Sequence, residues 1–163
     1  MDEKAYTRLL YYFINSVLEN YKTIAGETLG KPQIENTKEE EFRHKGYVAL
    51  VSFKGEMAGR AVIGVSDAIA LKVAKGLTME DVDEVDQTVL FSLAEFLNIV
   101  GGRAISLFNN EFKDKRIFPS PPSAFYGNNL RFVNFKVKGF NVVFPGEDGD
   151  FKLNIVVTEE KNG

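Results

Sequence analysis

Hydrophobic positions in the first 25 residues recur at helical spacing. Tyr6, Leu10, Phe13, Ile14, Val17 and Tyr21 fall on one stripe, which predicts an amphipathic helix over 2–25 that ends before Gly26. The periodicity is then lost. Gly30, Pro32 and the charge run Lys38, Glu39, Glu40 and Glu41 predict an exposed connection, with a short strand around 32–35. Two runs rich in β-branched and aromatic residues, 47–53 and 58–65, flank Lys54, Gly55 and Glu56 in the pattern of a β-hairpin. Ser66 precedes an apolar-periodic stretch through Ala74, and Gly76 beyond it reads as a stop, giving a short second helix.

Thr78 and Asp81 have capping-box spacing, and Glu80, Asp81, Asp83 and Glu84 suit a helix N-terminus, so a long third helix is predicted from there to about Asn109. Pro119, Pro121 and Pro122 force an extended passage. Strand-like runs at 130–136, 140–144 and 151–157 close the chain, with a turn at 146–149. Helices and antiparallel pairs are segregated without βαβ alternation. The predicted class is α+β, a mostly antiparallel sheet packed with a long central helix and shorter helices.

On the third helix, Val89, Leu93, Leu97, Val100, Ala104 and Leu107 lie within about 40° of one line at 100° per residue, the expected core face. Phe91, Glu95, Asn98 and Gly102 lie opposite. Residues three apart are helix neighbours, so Glu95 and Asn98 would be presented side by side from a rigid rod. Gly102 costs about 1 kcal/mol relative to alanine in a helix interior, which suggests that something approaches closely there. Spacing alone carries little weight, because Glu159 and Asn162 repeat it in the charged tail. Phe91 reads either as an interface anchor or as packing under a loop.

Composition narrows the remaining chemistry. At 163 residues and 44% hydrophobic, one domain over 1–163 is expected. The absence of cysteine removes disulfides and thiolate chemistry. A net charge of −3 with scattered basic residues argues against nucleic acid, and Phe125, Tyr126, Phe132, Phe135, Phe140 and Phe144 are read as core or sheet-edge packing. His44 is the single histidine, read as exposed among charges, which gives a catalytic triad or multi-histidine metal site little to build on. Asp81, Asp83, Glu84 and Asp86 lack the ligand order of a calcium loop. Glycine-rich phosphate loops are absent from the sequence. The N-terminus lacks the form of an export signal and no uninterrupted apolar run approaches about 18 residues, so no membrane association and a cytoplasmic location are expected.

Glu95, Phe96, Leu97 and Asn98, with Pro121 downstream, resemble the Glu-x-x-Asn helix motif and its proline in the CheX/CheC/FliY chemotaxis phosphatases. A single motif copy is closest to the CheX type, and the element order resembles CheX over most of the chain. Gly102 stands where such proteins commonly carry a small residue. Many members have Asp or Ser four residues before the Glu, where this chain has Phe91, with Ser92 one place away. The resemblance implies a CheC-like fold and hydrolysis of the aspartyl phosphate on a CheY-like receiver domain. It assigns Asn98 to positioning a water and Glu95 to pairing with a receiver lysine, with Phe91, Ser92, Gly102 and Pro121 as partner contacts. It implies no cofactor on this chain, Mg2+ on the receiver, and a homodimer. A non-catalytic receiver-binding adaptor and a structural homodimer of the same fold are the alternatives.

Overall fold

The computed structural model describes residues 2–37, 41–82, 86–133 and 137–158. Helix α1 spans Glu3–Ala25, as the apolar stripe predicts. The Asp2 carboxylate accepts hydrogen bonds from the backbone N–H groups of Lys4 and Ala5 at its start, and Gly26 ends it in the left-handed conformation, φ 75°. Strands β1 (Gln33–Thr37), β2 (Glu41–Gly55) and β3 (Ala58–Val65) follow, then α2 (Asp67–Thr78) and α3 (Gln87–Glu111). Strands β4 (Ile117–Pro119), β5 (Ser123–Val133), β6 (Val137–Phe144) and β7 (Phe151–Thr158) complete the chain.

The strands form one antiparallel sheet in the order β1-β6-β7-β3-β2-β4, with β5 also paired to β2. The class is α+β: among the described residues, three helices and an antiparallel sheet. The core lies between them. On β2, Tyr47, Ala49, Val51 and Phe53 point into it with Phe13, Val17, Val73, Leu93, Leu97 and Phe151. The other sheet face carries a smaller cluster of Phe42, Val48 and Val62, backed by Leu50, Leu130 and Phe132. This explains why β2 reads as a continuous apolar run through 47–51, since it buries side chains on both faces.

Several local expectations are corrected. Gly76 does not stop α2, which runs on to Thr78 and ends with Met79 at φ 60°. Glycine is needed at 76 for a different reason: a Cβ there would stand 1.9 Å from the carbonyl oxygen of Ile24 on α1. Thr78 does not cap α3 either, because its hydroxyl donates to the Ala74 carbonyl at 2.8 Å inside α2. The cap is Asp86, whose Oδ1 accepts from the backbone N–H of Thr88 at 2.8 Å and of Val89 at 3.3 Å. Asp83 and Glu84 lie outside the described residues, as do Lys38, Glu39, Glu40, Phe135, Glu159 and Asn162.

Glu41, expected in the exposed connection, already belongs to β2 and pairs with Arg43 and Arg131, both at 2.7 Å. His44, expected to be exposed, is buried: it lies against Gly64 and one ring nitrogen is 2.9 Å from the Val65 carbonyl oxygen. Burial holds its pKa below the ordinary imidazole value. Leu107, expected on the core face, is 38% exposed, while Ile105 and Phe108 are buried. The buried side of α3 is broader than one 40° stripe because the helix is packed by α1, α2 and β2 together. By length and composition α3 could cross a bilayer, and half of that apolar stretch is buried here within the fold.

The segment after α3 is pinned at both ends. The Asn109 side chain accepts from Ile117 N–H and donates to Ile117 O, each at 2.9 Å. Ser120 N–H donates to Ser52 O at 2.8 Å, and Ser52 N–H donates to Ser120 Oγ at 3.1 Å. Gly55 lets the chain pass, since a Cβ there would meet Arg116 O at 2.3 Å.

Gly76→Ala is expected to lower stability by about 2–3 kcal/mol despite its better helix propensity, because backbone would have to move. Urea unfolding measures it. Asn109→Ala, which removes two hydrogen bonds to partly buried backbone, is expected to cost about 1–3 kcal/mol in the same measurement.

Candidate functional site

With its inner side committed to the core, α3 turns a polar and aromatic stripe outward. Phe91 is 67% exposed, and Glu95 and Asn98 are exposed one turn apart. Their steps of four and three residues keep them on one line, with Glu95 and Asn98 Cβ atoms about 5–6 Å apart. Across from them runs the pinned segment Pro119, Ser120, Pro121 and Pro122. The two walls enclose an open groove of about 700 Å³, floored in part by Ala94.

Each wall is stiff for an identifiable reason. The helix wall is a 25-residue α-helix with a satisfied N-cap and a buried inner side. The other wall has three prolines, whose rings fix φ, and the reciprocal Ser52–Ser120 hydrogen bonds tie it to β2. Among the groove-lining residues Glu95 is the one ionisable group. Among the described residues neither Glu95 nor Asn98 has a hydrogen-bond or ion-pair partner. The pair is therefore available to a visiting molecule without breaking any bond. A carboxylate can accept from a cation or hydroxyl, and a carboxamide can donate and accept together.

The structure brings Phe91, Glu95, Asn98 and Pro121 into one groove. Ser92 is a correction: it is 6% exposed and sits on the inner side of α3, since one residue along a helix is a 100° rotation away from Phe91. Gly102 lies beyond the groove lining, one turn past Asn98. A Cβ at Gly102 would meet nothing within 4 Å, so nothing among the described residues requires glycine there. The contributions of Ser52, Ser120 and Asn109 are not readable from local pattern, because each depends on a pairing with a distant segment. Among the described residues no three His, Cys, Asp or Glu side chains are grouped to hold a metal ion.

Solved structures share this fold. A chemotaxis protein CheX from Desulfovibrio desulfuricans superposes with a TM-score of 0.80 at 18% identity, over 91% of this chain and 98% of that one. A CheC-like superfamily protein from Shewanella sp. PV-4 gives 0.81 at 19% identity, over 93% and 98%. The CheX of a CheX-CheY-BeF3-Mg2+ complex from Borrelia burgdorferi gives 0.74 at 23% identity, over 92% and 97%. No curated protein matches the sequence. The family model for the chemotaxis phosphatase CheX matches residues 47–144, more than half of the chain and the span that holds both walls of the groove. The chain belongs to the CheX family of chemotaxis phosphatases.

Proposed function

We propose that the chain, acting as a single CheX-like domain, hydrolyses the aspartyl phosphate of a CheY-like receiver domain at the α3 groove. The observation that carries this reading is the pair Glu95 and Asn98, exposed, unpartnered among the described residues and one turn apart beside a braced proline wall. The family match and the Borrelia complex, in which a CheX is bound to CheY, support it.

In this reading the receiver carries its own Mg2+ and its phosphoaspartate. The Asn98 carboxamide reaches the acyl phosphate and orients a water in line with phosphorus, one oxygen accepting from the water and the N–H2 donating to it or to a phosphoryl oxygen. Water attacks phosphorus, the bond from phosphorus to the aspartate oxygen breaks, and inorganic phosphate departs with the water's oxygen and protons while the free carboxylate stays on the receiver. Phosphoryl transfer rests on positioning and charge stabilisation, so no strong base is required of the amide. Glu95 pairs with a receiver lysine and sets the register of docking. Such a pair is worth about 0–1 kcal/mol in water and more once docking excludes water. Phe91 supplies apolar area next to the pair, and Pro121 and the open surface at Gly102 complete the contact.

The 67% exposure of Phe91 also favours a second reading, an adaptor that docks receivers without hydrolysis. A homodimer and a cytoplasmic setting complete the proposal. The outer edges of β1 and β5 have no strand partner among the described residues, which leaves an edge for a second copy.

Asn98→Ala is expected to bind a phosphorylated receiver as the wild type does and to lose about 10² in dephosphorylation rate, read as phosphate release. Glu95→Ala is expected mainly to raise the receiver concentration needed for half-maximal rate. Wild-type phosphate release from both variants contradicts the assignment, and binding without any acceleration by the wild type selects the adaptor.

A further inference from the structure

Strands β4 and β5 both pair with β2, and the residues between them do not match the stretch of β2 that they face. Pro119 stands opposite Phe53, and Ser123 stands opposite Leu50. Ser120, Pro121 and Pro122 therefore run alongside only two β2 residues, Ser52 and Val51. An extra residue on one side of an antiparallel pair buckles that side out of line and re-aims its side chains. Here the buckle carries Pro121 and Pro122 into the groove, facing Phe91, Glu95 and Asn98.

The two prolines have no N–H to give, so the tie to β2 falls to Ser120. Its N–H donates to the Ser52 carbonyl oxygen at 2.8 Å. Its hydroxyl accepts from Ser52 N–H and donates to Ser52 O, each at 3.1 Å. Two of these three bonds depend on one side-chain oxygen.

The helix wall is held in a different way. Val51, beside the buckle, points into the core, and a Cβ at Gly101 on α3 would lie 3.6 Å from its Cγ1 and 3.8 Å from the Phe13 ring. Sheet and helix are close-packed at this level, which fixes their separation. The width of the groove then depends on how far the buckle stands off β2. Ser52 and Ser120 are exposed, so loss of the hydroxyl leaves the core and both flanking strand pairings in place and lets the two prolines shift. A displacement of about 1 Å is enough to matter for a docked reacting group.

We propose that Ser120 is a positioning residue for receiver docking, its hydroxyl holding the Pro121–Pro122 buckle at the distance from Glu95 and Asn98 that the receiver surface requires; the inference rests on the phosphatase reading. Ser120 acts through the prolines and has no part in the chemistry.

The test uses the full chain and a phosphorylated CheY-type receiver that the wild type dephosphorylates. Ser120→Ala is expected to raise the half-saturating receiver concentration about five- to tenfold, with the maximal rate within about twofold of wild type. The urea midpoint is expected to stay near that of the wild type, because the lost bonds are exposed. Ser120→Thr keeps the hydroxyl and suits extended backbone, and it is expected to return half-saturation to within about twofold of wild type. Pro121→Ala is expected to raise half-saturation by itself. Adding Ser120→Ala to it is expected to raise it by less than about twofold more, since both act through one surface. Wild-type half-saturation in Ser120→Ala, equal losses in the alanine and threonine variants, a loss that comes with a lowered urea midpoint, or full additivity with Pro121→Ala overturns the positioning role and leaves the phosphatase reading intact. A wild type that dephosphorylates no CheY-type receiver overturns the phosphatase reading and this inference with it.

Discussion

Burial of the inner side of α3 constrains everything at the groove. Val89, Leu93, Phe96, Leu97, Val100, Ala104 and Phe108 are each fully buried, packed by α1, α2 and the sheet. Rotating the helix by one residue would drag Phe96 toward water in one sense, and in the other would push Glu95 into the buried place that Phe96 holds. Exposing one such aromatic forfeits about 1.5–3 kcal/mol of transfer free energy, and burying an unpaired carboxylate costs more. The outward line of Phe91, Glu95 and Asn98 is thus fixed by hydrophobic packing on the other side of the same helix.

The second wall follows from the first through covalent continuity. The chain leaves α3 at Glu111 and is caught at once by Asn109, which bonds both backbone groups of Ile117. Three prolines and the Ser52–Ser120 exchange then hold it beside the helix instead of letting it fold away. Remote pins support the far end of the fold in the same way. Lys72 on α2 pairs with both Glu27 and Asp148, tying the loop after α1 to the β6–β7 turn, and the two carboxylates raise its pKa. Arg8 on α1 pairs with Glu111 at 2.9 Å at the end of α3. Such exposed pairs contribute little individually. Their role is to set where one element ends against another.

Much of this was legible in the amino-acid sequence. The ends of α1 could be read because Asp2 and Gly26 act locally, through a side-chain cap and a left-handed residue. The stripe of Glu95 and Asn98 could be read because helical periodicity is a local rule. The junction of α2 and α3 could not, since Thr78 and Asp81 have capping-box spacing, yet the Thr78 hydroxyl turns back to the Ala74 carbonyl and Asp86 takes the cap. Gly76 resembled a stop because a glycine that admits a neighbouring carbonyl looks the same as one that ends a helix. His44 was misplaced because its burial comes from lying across Gly64 on another strand. Ser92 differs from its neighbour Phe91 by one helical step, which is enough to move it from the groove into the core.

A CheX-family fold, a braced groove and an unengaged Glu–Asn pair together describe a surface built to work on something brought to it. The claim at the centre is that this surface hastens loss of phosphate from a bound receiver. Single-turnover kinetics test it directly, with this chain in saturating excess over a phosphorylated CheY-type receiver that it binds. The account predicts phosphate loss about 10² faster than from the receiver alone. Saturated binding with an unchanged rate would contradict it.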